Sequence, residues 1–110
     1  MLLNSGRQQV DLTTEADSIH NYYERLVFDQ IVQVNERARS DTNFFSDVAC
    51  VSLNHLPPRY IRHDVDMTFF LSSVELKEIH ANVEVAVKEA IDHVTSRDQA
   101  NTDSEPDITN

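Results

Sequence analysis

The sequence predicts an all-α fold: a small three-helix domain over residues 18–95, expected to pair as a homodimer, with a flexible N-terminal arm over 1–17 and a disordered acidic tail over 96–110. Three observations predict it. Apolar residues recur at spacings of three and four along two long stretches, a double proline closes a shorter amphipathic stretch between them, and both ends are polar without a sustained period.

In the first helix Ile19, Tyr22, Tyr23, Leu26, Val27, Gln30, Ile31 and Val34 fall on one face, and Asp17 or Ser18 is placed to cap its first N–H groups. Glu24, Arg25, Asp29 and Arg37 take the wetter side. Phe28 and Val32 lie off the stripe and widen the apolar face toward a dimer contact. Residues 36–43 carry charge and turn formers but no apolar period, which reads as a connection. A second helix then starts at a Ser46 cap, and its short face is Val48, Ala49, Ser52, Leu53 and Leu56. Pro57 and Pro58 end it, since proline donates no N–H and pushes the preceding residue out of the α region.

Residues 59–70 are rich in strand formers (Tyr60, Ile61, Val65, Met67, Phe69, Phe70), yet a lone strand has no pairing partner in the monomer, so an extended loop is expected. The last helix has the clearest start. Ser72 and Glu75 stand at capping-box spacing, with Leu71 and Leu76 where a hydrophobic staple belongs. Leu76, Ile79, Val83, Val87, Ala90, Ile91 and Val94 form its stripe, with Val85 partly off it.

At 110 residues the chain holds one domain, and a folded part of about 75 residues buries a modest share of its surface. Cys50, the single cysteine, permits neither an intrachain disulfide nor a cysteine cluster for zinc, and inside an apolar helix it reads as a buried structural thiol. A subunit partner is the remaining staple. The net charge of -10 argues against direct nucleic-acid binding or attachment to an anionic membrane, so any anionic ligand needs a local arginine cluster. No apolar run approaches the roughly 20 residues that span a bilayer, and no leader-like segment opens the chain; a cytoplasmic location is the expectation. His20, His55, His63, His80 and His93 never fall at metal-binding helical spacing, and one glycine cannot build a phosphate loop. No catalytic constellation is present. The chain therefore reads as a non-enzyme without cofactor.

The candidate site is the corner after the prolines. Pro58 stiffens the backbone beneath Arg59 and Tyr60, and a rigid donor fork beside a stacking ring suits a planar or anionic ligand. The plainer alternative is a tyrosine that covers the core while the arginine is solvated.

Asn21-Tyr22-Tyr23-Glu24, followed by Leu26 and Val27, and Asp47-Val48-Ala49 leading into Leu53-Asn54-His55-Leu56-Pro57-Pro58-Arg59-Tyr60 are two motifs through which the chain resembles the ComFB family of late competence development proteins. The resemblance covers residues 19–94. It implies a small helical, usually dimeric protein that acts in regulation and not in chemistry; members are linked to competence, motility and cell shape, and several are receptors for cyclic dinucleotides, cyclic di-GMP foremost. The implied partners are such a ligand, a second subunit and a downstream regulatory protein. Some members hold zinc through cysteines just before the Asp-Val helix. Here that region reads Asp41-Thr42-Asn43-Phe44-Phe45, so a zinc site is not expected, and either packing of Phe44 and Phe45 or a dimer contact takes over its role.

On this resemblance Arg59 would meet phosphate and Tyr60 a guanine ring. Arg62 and His63 extend the positive region, and Arg39 or Arg25 would join it from nearby segments. Asp47 and Asn54, two helical turns apart, would both read a guanine edge; alternatively Asp47 offsets the helix dipole and Asn54 caps the helix end. Of Tyr22 and Tyr23, one is expected in the core and the other against a ligand or partner, Tyr23 being the ligand candidate. A reading of another class is a constitutive protein-interaction module that docks a partner through its off-stripe apolar residues and binds no small ligand.

Overall fold

The computed structural model describes residues 18–103. In chain order these form β1 (His20–Asn21), α1 (Tyr23–Val34), a 3-10 turn (Arg37–Arg39), α2 (Thr42–Asn54), β2 (Tyr60–Ile61), α3 (Val65–Phe70) and α4 (Ser73–Asp103). The domain is thus mostly helical, with a two-residue antiparallel ribbon in which His20 faces Ile61 and Asn21 faces Tyr60. The arm expected over 1–17, its Asp17 cap and residues 104–110 lie outside the described residues.

The core follows the apolar stripes. α2 packs most extensively on α4, and α1 lies against both. Val27 and Ile31 of α1, Phe44 and Val48 of α2, and Val83, Val87, Ala90 and Val94 of α4 are buried together. Each fully buried aliphatic side chain contributes on the order of 1.5–3 kcal/mol by leaving water. Ser52 is the polar member of α2's inner face, and its hydroxyl donates to the Val48 carbonyl at 2.8 Å, so burial leaves it satisfied. Phe28, off the stripe, packs on Phe45 with ring centroids 5.7 Å apart and stays half-buried. Val32 stays exposed.

The start of α4 is the expected capping box, with the Ser72 amide donating to Glu75 Oε1 at 2.9 Å and the Glu75 amide to Ser72 Oγ at 3.1 Å. The other ends differ from the sequence reading. The first helix begins at Tyr23 rather than Ser18, because Asn21 Oδ1 accepts the Tyr23 amide while residues 20–21 pair as a strand. α2 begins at Thr42, not after Ser46. Asp41 is its cap, accepting the Phe44 amide at 3.0 Å, and that bond, helped by the Arg37 guanidinium, holds its carboxyl below the ordinary value.

Residues 59–70 are not an extended loop. Tyr60 and Ile61 find their pairing partner in the stretch before α1, and Val65–Phe70 form a helix. The last helix also continues past Thr95 to Asp103, into the stretch expected to be a tail. Two ion pairs fasten this extension, Arg97 with Asp47 of α2 at 3.1 Å and Arg37 with Asp98 at 3.1 Å. Cys50 is exposed, since Val48, Ala49 and Ser52 occupy the inner face of α2 and position 50 points away. Every connection among the described residues is made without a positive φ, and none of these residues is glycine.

Asn21 Oδ1 is a buried acceptor shared by the amides of Tyr23, at 3.2 Å, and Arg59, at 3.0 Å. Asn21→Ala strands both donors and is expected to cost about 2–3 kcal/mol in urea denaturation, against about 0.5 kcal/mol for an ordinary surface change.

His20 Nε2 lies 2.7 Å from Asp64 Oδ1 and Nδ1 lies 3.0 Å from the Ser18 carbonyl. Two acceptors need two N–H donors, which only the imidazolium has. The Asp64 hydrogen bond, then the Ser18 carbonyl, raise the His20 pKa above 6.5. Because the folded value exceeds the unfolded one, this stabilisation is complete below pH ~6.5 and fades as pH rises through the folded-state pKa. NMR titration is expected to place His20 above 6.5 in the native protein and lower in Asp64→Asn, and that variant loses more stability at pH ~6 than at pH ~9.

Candidate functional site

The double proline delivers the chain to a backbone position fixed from two sides. The Tyr22 amide donates to the Arg59 carbonyl at 2.6 Å, and the Arg59 amide donates to Asn21 Oδ1. Both polar groups of the Arg59 backbone are thereby satisfied at the entrance to β2. Strand alternation then turns Ile61 toward the core and Tyr60 outward, where its side chain is 69% exposed. Pro57, Pro58, Arg59, Arg62 and His63 are also exposed. The result is a rigid backbone carrying solvent-facing side chains.

The field of Arg59 reaches the first turn of α4. Glu75 titrates below its ordinary value chiefly through the Ser72 amide and hydroxyl, with the Arg59 charge a smaller contribution. Glu75 is therefore a second charge near the corner, which the sequence reading left in its capping role alone. Asn54, the last residue of α2, is exposed a few residues before the corner.

The structure does not gather all the candidate residues. Asp47 sits about 10 Å up α2 from Asn54, at 1.5 Å per residue, and its carboxylate is engaged by Arg97. Tyr23 is 6% exposed and belongs to the core, its ring edge-on to Tyr22 at 6.3 Å between centroids. Of the tyrosine pair it is the half-buried Tyr22 that retains access to solvent; burial, followed by the nearby Asp64 charge, pushes its hydroxyl pKa up. Arg39 does not join the corner either. Its guanidinium donates to the carbonyls of Val32, at 2.8 Å, and Gln33, at 3.3 Å, closing the C-terminal end of α1. Arg25 lines a cleft of about 370 Å³ with His20, Glu24, Phe28, Asp29 and Asp64, where carboxylates outnumber it.

A second cleft, of about 250 Å³, lies between α2 and α4 and includes His55, Glu89 and His93. Among the described residues no group of three histidine, cysteine or acidic side chains is arranged to hold a metal ion. Nor, among them, is any helix long and apolar enough to cross a membrane. Arg37 lies 4.1 Å over the Phe44 ring and pairs with Asp41 at 3.2 Å, so the segment before the Asp-Val helix is closed by a cation–π contact and an ion pair.

No curated protein and no solved structure shows significant similarity to the chain. A family model does match, that of the late competence development protein ComFB, over residues 20–98. That span runs from the first strand of the ribbon through both motifs to the ion-paired end of α4. On this match across most of its length, the chain belongs to the ComFB family.

Proposed function

We propose that this protein is a non-enzymatic regulator that binds a cyclic dinucleotide, cyclic di-GMP foremost, at the Arg59–Tyr60 corner and passes the signal to a protein partner. Family membership fits a competence-related regulatory protein. The observation that carries the ligand reading is the contrast within two residues: the Arg59 backbone is fixed on both sides, while its side chain and that of Tyr60 face solvent. The backbone beneath this pair is already ordered, so the free energy of contact is not spent on ordering it. The guanidinium offers paired donors to a phosphate and the ring a platform for a base, with Arg62 adding charge and Pro58 and Asn54 bordering the site. Asp47 and Tyr23 serve the fold in this reading. Signal transfer requires that ligand bind one of two states more tightly.

The second reading is a constitutive interaction module without small ligand. What favours it is the adjacent exposure of Phe69 and Phe70, at 80% and 77%, which together form an apolar patch of a kind that often marks an interaction site.

Titration calorimetry of the full chain with cyclic di-GMP, cyclic di-AMP and linear pGpG separates the two. Binding of a cyclic dinucleotide is expected, and no heat with any of the three at protein concentrations well above micromolar rejects the receptor reading. Arg59→Ala removes a charge-assisted contact worth about 1.5–3 kcal/mol and is expected to weaken binding roughly ten- to hundredfold with unchanged helical circular dichroism. Unaltered affinity in that variant removes Arg59 from the site.

A further inference from the structure

We propose that Asp64 has two positions, one clasping His20 and one capping α3, and that a proton on His20 chooses between them, so that pH sets how Arg62 and His63 are presented beside the Arg59–Tyr60 corner. In the structure Asp64 stands at the N-cap position of α3 but does not cap it. Its backbone is helical, at φ -59° and ψ -32°, whereas a capping aspartate is extended and accepts the amide two or three residues on. The first such amide, that of Asp66, is bonded instead to the His63 carbonyl at 3.0 Å. The Asp64 carboxylate is turned to the ribbon, where His20 Nε2 lies 2.7 Å away.

The clasp needs a proton. His20 stands between two oxygens, Asp64 Oδ1 at Nε2 and the Ser18 carbonyl at 3.0 Å from Nδ1. The neutral ring has a single N–H, so in either tautomer one nitrogen lone pair faces an oxygen, and the attraction of unlike charges is gone. A released carboxylate has a destination. Extended backbone at Asp64 brings it to the Asp66 amide, where a charge-assisted bond takes the place of the one from the His63 carbonyl. Both clasp partners are partly exposed, with side chains at 34% and 61%, and an ion pair so placed is weak enough for one proton to undo. Two states close in energy are what such a small difference redistributes.

The charged groups around His20 favour the clasped form at low pH. Glu24, Arg25 and Asp29 of α1 line its cleft, Asp64 closes it, and Tyr22 lies near Asp64. Carboxylates outnumber Arg25 there, and the His20 pKa lies above 6.5, so the exchange falls on the alkaline side of that value. Fixed points bound what moves. Arg59 stays bonded to Asn21 and Tyr22, while Met67 and, past the helix end, Leu71 hold the far part of α3 on the core. The stretch that turns is therefore 62–66, which joins the corner to α3. The exchange is a property of the chain alone and does not rest on the receptor reading.

Carbon-detected NMR of the full chain through a pH titration tests it, because the Cα and carbonyl shifts of Asp64 report its backbone angles. They are expected to move from helical to extended values with the midpoint of His20, the ratio of capped to clasped molecules rising by up to about tenfold per pH unit across that titration. The shifts of Tyr22 and Arg59 are expected to stay in place. His20→Ala is expected to hold Asp64 extended at every pH, and His63→Gln to leave the wild-type curve unaltered. Helical Asp64 shifts throughout the His20 titration, a helical Asp64 in His20→Ala, or a curve abolished by His63→Gln each overturn the proposal. Equal movement at Tyr22 and Arg59 marks a general loosening of the ribbon and overturns it as well.

Discussion

One carbonyl oxygen, Oδ1 of Asn21, holds together parts of the chain that are distant in sequence. It accepts the Tyr23 amide at the start of α1 and the Arg59 amide just past the double proline, and it is buried while doing so. Its loss is costly, because the Tyr23 amide would be left without a partner in a buried position and the Arg59 amide in a partly buried one. Around this point the ribbon forms, the Tyr22 amide meets the Arg59 carbonyl, and Ile61 turns inward. Exposure of Arg59 and Tyr60 is thus not looseness. The Arg59 backbone has both polar groups bonded, and the stiffness supplied by two prolines on one side is completed from the other by an asparagine 38 positions earlier.

Helix interiors were legible in the sequence because burial of a stripe depends only on local spacing. Val27, Ile31, Val48, Val83, Val87 and Val94 are buried as their periodicity requires, and the Ser72–Glu75 box stands where its two side chains place it. What escaped reading depends on partners far along the chain. Nothing local in Tyr60–Ile61 shows that His20–Asn21 will pair with it, and the expectation of an extended loop followed from that gap. Asp41 outcompetes Ser46 as cap because Arg37 and Phe44 are folded around it. The continuation of α4 to Asp103 likewise relies on Asp47 and Arg37, charges that reach it only in the folded molecule.

The candidate site divides the same way. The sharp corner ahead of Arg59 and Tyr60 was readable because two prolines fix their own backbone and bar the residue before them from the helix. Asp47 and Tyr23 were selected by motif and face; the fold gives one to Arg97 and the other to the core. Arg37, Arg39 and Arg97 each close a helix end or clip one segment to another, away from the Arg59–Tyr60 corner.

The absence of glycine and of positive φ from residues 18–103 bears on a state no folded contact describes. Each glycine in a flexible chain enlarges the unfolded ensemble, and replacing one at a compatible position stabilises a protein by about 0.4–1 kcal/mol through that ensemble alone. A domain whose turns are built from Asn35, Asp41, His55, the paired prolines and Ser72 starts folding from a chain already restricted. With a core this small, part of its stability therefore originates in the poverty of its unfolded state, and a loop substitution to glycine erodes that part in addition to removing whatever contact the replaced side chain makes.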